Sequence, residues 1–211
     1  MIDSNTFDHE PLSRPSGKRQ RIANLTSNIF NPFLLCLALI LLFSFKSSAS
    51  TSEAIKWASI STGFGILPVF LVIIFLLRHG KLDDFFIAAR EQRTRIYVIG
   101  CLSAAAGCVT LALLRAPDIL VAGFITGVST AIVFAIINLW WKISLHTAIV
   151  AAFTTILVMI FGWIAAVSVA LVPLTAWSRI ELECHSLTQT VSGAILAILL
   201  VFLLFQPLAM V

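Results

Sequence analysis

The apolar residues of this chain fall in runs of about twenty, and its charges sit in short patches between them. About 20 apolar residues is the length a helix needs to cross the hydrocarbon core of a bilayer. Of the 211 residues, 59% are hydrophobic and only 11% are charged, with a mean hydropathy of +1.02. A soluble domain carries about 25% charged residues, so a soluble globular protein, a disordered chain and a disulfide scaffold are excluded together. The expected fold is all-α: a polytopic transmembrane helical bundle of about six to seven spans. The net charge of +4 then bears on orientation and on anionic ligands, with no nucleic-acid partner implied.

The four cysteines make no framework. Cys36, Cys101 and Cys108 lie in apolar runs, where a thiol behaves as a small hydrophobe. Cys184 has no second cysteine near it, which argues against a zinc site. Residues 1–28 hold Asp3, Asp8, Glu10, Arg14, Lys18, Arg19 and Arg21 with two prolines, and read as a polar, solvated N-terminal tail. Residues 29–211 form the bundle. A cleaved signal peptide would put its apolar stretch directly after a few basic residues; here the stretch from Phe30 to Phe45 follows this longer tail and runs into Lys46-Ser47-Ser48-Ala49-Ser50.

Spans are expected at about Ile29 to Phe45, Ala54 to Leu77, Ile96 to Leu114, Ile119 to Trp140 and Leu187 to Phe205. A charged loop, Arg78 to Arg95, separates the second and third, and Arg115 to Asp118 forms a tight turn before the fourth. The stretch from Thr147 to Trp177 decides the topology. As one helix it would be about 46 Å long at 1.5 Å per residue, against a hydrocarbon core of about 30 Å. As two short spans it would turn at Phe161-Gly162-Trp163. Length alone leans to one tilted helix, whereas the histidine motifs below require two, giving seven spans.

With seven spans, one side of the membrane receives Arg14, Lys18, Arg19, Arg21, Arg78, Lys81, Arg90, Arg93, Arg95, Lys142 and Arg179, and the other Lys46, Lys56 and Arg115. Positive charge favours the cytoplasmic face, so the N-terminus and the motif loops are expected in the cytoplasm of an integral, multi-pass cell-membrane protein. Trp140, Trp141, Trp177 and Tyr97 border the same side, as an interfacial aromatic belt does.

The polar residues with chemical promise cluster at that boundary. His146 opens an apolar helix just after Lys142 and Ser144, and His185 follows Ser178-Arg179 with five residues between, with Gln189 one helical turn beyond. A helix start supplies backbone N–H groups and a positive dipole end that suit an oxyanion. Arg179 and Lys142 add cationic donors for phosphate. One histidine attacking phosphorus and a second protonating the leaving group would make a covalent mechanism. Elsewhere the plainer reading holds. His9 and His79 are solvated, the Asp83, Asp84 and Glu91 loop is a charged surface loop rather than a metal site, and Cys184 lacks a setting that would lower its pKa. Gly123 and Gly127 make a small-xxx-small pattern for close helix contact, either within the bundle or at a dimer face.

These residues resemble the type-2 phosphatidic acid phosphatase and vanadium haloperoxidase superfamily, whose signature runs Lys-x6-Arg-Pro, then Pro-Ser-Gly-His, then Ser-Arg-x5-His-x3-Asp. The stretch from Ser178 matches the third part at Ser178, Arg179 and His185 and departs at Gln189, where the family has Asp. Lys142 to His146 matches the second at Ser144 and His146, with Ile143 for Pro and Leu145 for Gly. The first is reduced to Arg93, followed by Thr94, with Phe86 at the lysine position. The resemblance covers about residues 78–206, its motifs within 78–193. It implies a phosphohistidine intermediate on His185, His146 as proton donor, Gln189 as the orienting group, and Arg179, Ser144, Arg93 and Lys142 around the phosphate. It implies no metal or cofactor.

Two functions from different classes fit. One is a membrane phosphatase acting on a lipid or isoprenoid phosphate or diphosphate. The other is a catalytically inactive homologue that binds phospholipid headgroups or serves as a membrane partner subunit, and the departures at Gln189, Leu145 and the first motif favour it. A small transporter fits less well, since no span has an ionisable residue at its centre. The oligomeric state is not legible.

Overall fold

Most of the apolar runs begin at a residue that can close the first turn of a helix. The computed structural model describes the backbone of residues 17–80 and 90–209, and the side chains of 17–80 and 94–209. Asn31 Oδ1 accepts the Phe33 N–H at 2.8 Å and Pro32 takes the first position of α2 (Pro32–Ser47). Ser50 Oγ accepts the Glu53 N–H at 3.2 Å, while the Glu53 carboxylate accepts the Ala49 N–H at 3.1 Å, starting α3 (Thr51–Gly65). Such caps are each worth about 1 kcal/mol. α4 (Leu67–Arg78) has a proline in its first turn. Pro68 has no N–H to give and crowds the carbonyl four residues back, which is that of Phe64. Phe64 O instead accepts the Ser103 hydroxyl at 2.6 Å, and α3 and α4 meet at a bend of 43°.

The chain continues through α5 (Arg90–Leu113), the Arg115 turn at φ +55°, and α6 (Asp118–Asn138). α7 (Leu145–Phe161) ends at Gly162, whose φ of +65° and ψ of −147° suit a residue without a Cβ. A 3-10 segment, Gly162–Ala170, leads into α8 (Leu171–Glu181). α9 (Leu187–Leu200) runs through a π segment, Val201–Phe205, into α10 (Gln206–Ala209). Helices and no strands make up the described residues, so the molecule is the all-α bundle expected.

Five helical runs among the described residues are long and apolar enough to cross a membrane, or six with the bent pair α3–α4 counted as one span. These make it a multi-pass membrane protein. The stretch expected to turn at Phe161-Gly162-Trp163 has a break in its helix there. The run Leu145–Glu181 does fold back at Gly162, because α7 and α8 pack against each other. Its helical arms are short, however: 17 residues in α7 and 11 in α8, joined by the nine-residue 3-10 segment. At about 1.5 Å per residue, α7 is roughly 25 Å long, less than a full crossing of about 30 Å. The fold-back returns Arg179 to the end of the bundle where α7 starts.

A correction concerns the N-terminal tail. Residues 18–28 are not solvated throughout, because Lys18–Ile29 forms a helix, α1, that packs on α8. Ser178 Oγ donates to Ala23 O at 2.8 Å, and Arg19 Nε pairs with Glu181 at 2.9 Å. The inner face of α1 is Ala23, Thr26 and Ser27, so this contact is made by small and hydrogen-bonding groups. At the opposite end of the bundle, Phe43, Leu120, Phe124, Ile156, Val201 and Phe205 build the main apolar core, and Lys46 Nζ lies over the Phe161 ring.

Candidate functional site

The spacing between Arg179 and His185 is enforced by backbone bonds. α8 ends in a turn with Glu183 at φ +55°, and both the Cys184 and His185 N–H groups bond back to Arg179 O, at 3.0 and 3.2 Å. This is the way a left-handed residue commonly closes a helix. The next helix opens at once. Ser186 Oγ accepts the Gln189 N–H at 3.3 Å and Gln189 Oε1 accepts the Ser186 N–H at 3.1 Å, a reciprocal capping box.

That box fixes a proton on His185 Nδ1. Its Nδ1 lies 3.1 Å from the same Gln189 Oε1. The atom facing the Ser186 N–H must be the amide oxygen, because a backbone N–H can only donate. Nδ1 must then carry a proton to bond to it, so that in the neutral ring Nε2 is the unprotonated nitrogen. Gln189 is therefore a positioning group behind the imidazole.

Ser144 is fully buried and caps α7. Its hydroxyl accepts the Thr147 hydroxyl at 2.7 Å and lies 3.5 Å from the Thr147 N–H. It is not among the residues that line the cavity holding the histidines. Its backbone joins the two motifs: the Ser144 N–H donates to Gln189 O at 3.2 Å. Gly193 makes the approach possible, since a Cβ there would stand 2.7 Å from Ser144 O. Replacing Gly193 with alanine is expected to destabilise the fold by about 1–3 kcal/mol, the usual cost of overpacking. The readout is the thermal unfolding midpoint of the purified protein in detergent; no shift would mean that these segments separate freely.

Arg179 is 2% exposed, and its Nη1 donates to Ser27 Oγ of α1 at 2.7 Å. The sequence reading missed Ser27 by placing it in the polar tail. Its signal was the small polar face Ala23, Thr26 and Ser27 at helical spacing.

His146 (8% exposed), His185 (7%) and Arg179 line one cavity of about 400 Å³. The fold-back and the capping box thus bring three expected site residues together. Lys142, half-buried in the link before α7, does not line it, and Gln189 stands behind the wall. The side chains of Arg93 and Glu91, and all of Lys81, Asp83 and Asp84, lie outside the described residues. Among the described residues no cluster of His, Cys, Asp and Glu could hold a metal ion. Arg179 is the one charged residue in the described lining, and apart from the histidines, Tyr97, Thr126 and Thr130 the walls are apolar or small. A site of this composition suits an anionic group at one end and hydrocarbon beyond it.

No model of a known family, no curated protein and no solved structure matches this chain.

Proposed function

We propose that this protein is a membrane-embedded phosphatase of a lipid or isoprenoid phosphate or diphosphate, a divergent relative of the type-2 phosphatidic acid phosphatase superfamily. The observation that carries the reading is the buried His185, oriented through Nδ1 by Gln189, in one cavity with Arg179 and His146. In this scheme His185 Nε2 attacks phosphorus, forming a P–N bond as the P–O bond to the leaving alcohol breaks. Protonated His146 gives its proton to that oxygen and then, as a base, takes one from the water that cleaves the P–N bond, releasing phosphate. The Arg179 guanidinium stabilises the charge on the phosphoryl oxygens in a setting with little water.

The test is phosphate release by the purified protein from phosphatidic acid, phosphatidylglycerol phosphate and prenyl diphosphates. Release from at least one supports hydrolysis. Binding without release supports the second reading, a headgroup-binding homologue, which the amide at Gln189 in place of a carboxylate favours.

The site end of the bundle is proposed to face the cytoplasm. Lys18, Arg19, Arg21, Arg78, Arg95, Lys142 and Arg179 belong to that end, against Lys46, Lys56 and Arg115 at the other, which fits the positive-inside rule. A cysteine placed at Ser16, in the tail preceding α1, is expected to resist an impermeant thiol reagent in intact cells and to react once the cells are opened. Labelling of intact cells would reverse the orientation.

A further inference from the structure

The cavity extends far beyond what a phosphate needs. It runs from His146 to Ile156 along α7 and from Pro32 to Phe43 along α2, about 15 Å at 1.5 Å per residue and roughly half of a 30 Å hydrocarbon core. Its far end is closed by the rings of Phe43 and Phe205, stacked with centroids 5.3 Å apart and both buried. The π segment carries Val201 and Phe205 to this floor.

One wall is a single face of α6 with Gly123, Gly127, Thr130 and Ala131. The small-xxx-small pattern thus creates room here as well as contact. A Cβ on Gly123 would touch Phe43 at 3.0 Å, whereas one on Gly127 would meet nothing within 4 Å. We propose that this cavity is the binding site for one hydrocarbon tail of an anionic-headed amphiphile, with the stacked Phe43 and Phe205 rings setting the maximum tail length. The inference rests on the proposed role of Arg179 and the histidines as the headgroup site.

The occupant follows from shape and charge. Spreading about 400 Å³ over a depth of about 15 Å leaves a cross-section of roughly 27 Å², the girth of one chain rather than two. An extended chain gains roughly 1.25 Å per carbon from a 1.5 Å bond and a near-tetrahedral angle, so the depth corresponds to about twelve carbons. The charge at the mouth is the Arg179 guanidinium, which calls for an anionic head.

The test uses dodecyl phosphate carrying a diazirine at the tail end, cross-linked to the full-length protein in lipid nanodiscs and mapped by mass spectrometry. Labelling is expected to concentrate on Phe43, Val201 and Phe205. Gly127→Leu, which fills open space in the wall, is expected to cut that labelling at least tenfold. Phe43→Ala is expected to admit a hexadecyl probe to the same depth. Labelling spread over lipid-facing residues such as Leu102 and Trp163, or unchanged by Gly127→Leu, would overturn the proposal. Phosphate release from dodecyl phosphate with no labelling at the floor would sink the tail site and keep the hydrolase. Labelling at the floor with no phosphate release would keep the tail site and sink the hydrolase.

Discussion

His185→Ala is expected to bring phosphate release down to background, a loss of about 10⁴-fold or more, as when a covalent nucleophile is removed. The substitutions at Gln189 make the experiment specific to mechanism. Gln189→Leu keeps the helix but removes the acceptor for the Nδ1 proton, and the expected loss is about 10²–10⁴, as for other orienting groups. Gln189→Glu keeps the length that lets one oxygen reach both His185 Nδ1 and the Ser186 N–H, and adds negative charge near a developing imidazolium and a helix N-terminus. Turnover in Gln189→Glu is expected to equal or exceed that of the wild type. Gln189→Asp, which copies the superfamily residue, is shorter by a methylene and is expected to serve less well here, because the oxygen must also close the capping box. Full activity in His185→Ala would end the phosphohistidine mechanism. An inactive wild type rescued by Gln189→Glu would identify a disabled phosphatase whose natural role is binding.

Arg179→Ala is expected to lower kcat/KM by about 10²–10³, the loss typical of a single preorganised donor to a developing oxyanion. Ser27 provides the check on how that arginine acts. If Ser27 holds the guanidinium in place through the 2.7 Å bond, Ser27→Ala costs about tenfold in the wild type, the lower part of the range for a hydrogen bond to a charged group. In the Arg179→Ala background it costs nothing further, because the two changes remove one interaction. Ser27→Thr keeps the hydroxyl and is expected to recover most of the activity. Independent, additive losses would show that α1 merely supports the fold.

The longest elements were legible in the sequence because lipid leaves a simple signal. α2, α5, α6 and α9 begin and end within a few residues of the apolar runs, apart from the extra polar turn at the start of α5. α1 was not legible. Its apolar residues Ile22, Leu25 and Ile29 are exposed, and its buried face is Ala23, Thr26 and Ser27, the reverse of the pattern that marks a helix packed on a core. Such a face is chosen by the hydrogen-bonding groups of its partner, Ser178 and Arg179, which lie more than 150 positions away. The hinge at Gly162 was readable because a glycine between two aromatics interrupts an apolar run too long for one crossing.

At the site, spacing in the sequence brought His146, Arg179 and His185 together, since each sits at a helix boundary and boundaries are what short motifs encode. Ser144 also sits at such a boundary. A serine just before an apolar helix is first of all a cap, as its bonds to Thr147 show, and the resemblance gave it a second task. The cavity itself had no sequence signal beyond Gly123 and Gly127. A concavity arises from which small residues face which helices, and that is known only once the helices are placed.

The folded-back run Leu145–Glu181 has a consequence for biogenesis. α8 has only 11 residues and carries Arg179 and Glu181 in its last turn, which leaves too short an apolar stretch to span the hydrocarbon core. Such a segment is a poor candidate to partition into lipid by itself. Its favourable surroundings are α7, which precedes it, and Ser27 and Ala23 of α1, made more than 150 residues before it. The two arms are therefore expected to enter the bilayer as one helical hairpin, with Arg179 sheltered in the folded protein against a helix that left the ribosome some 150 residues earlier.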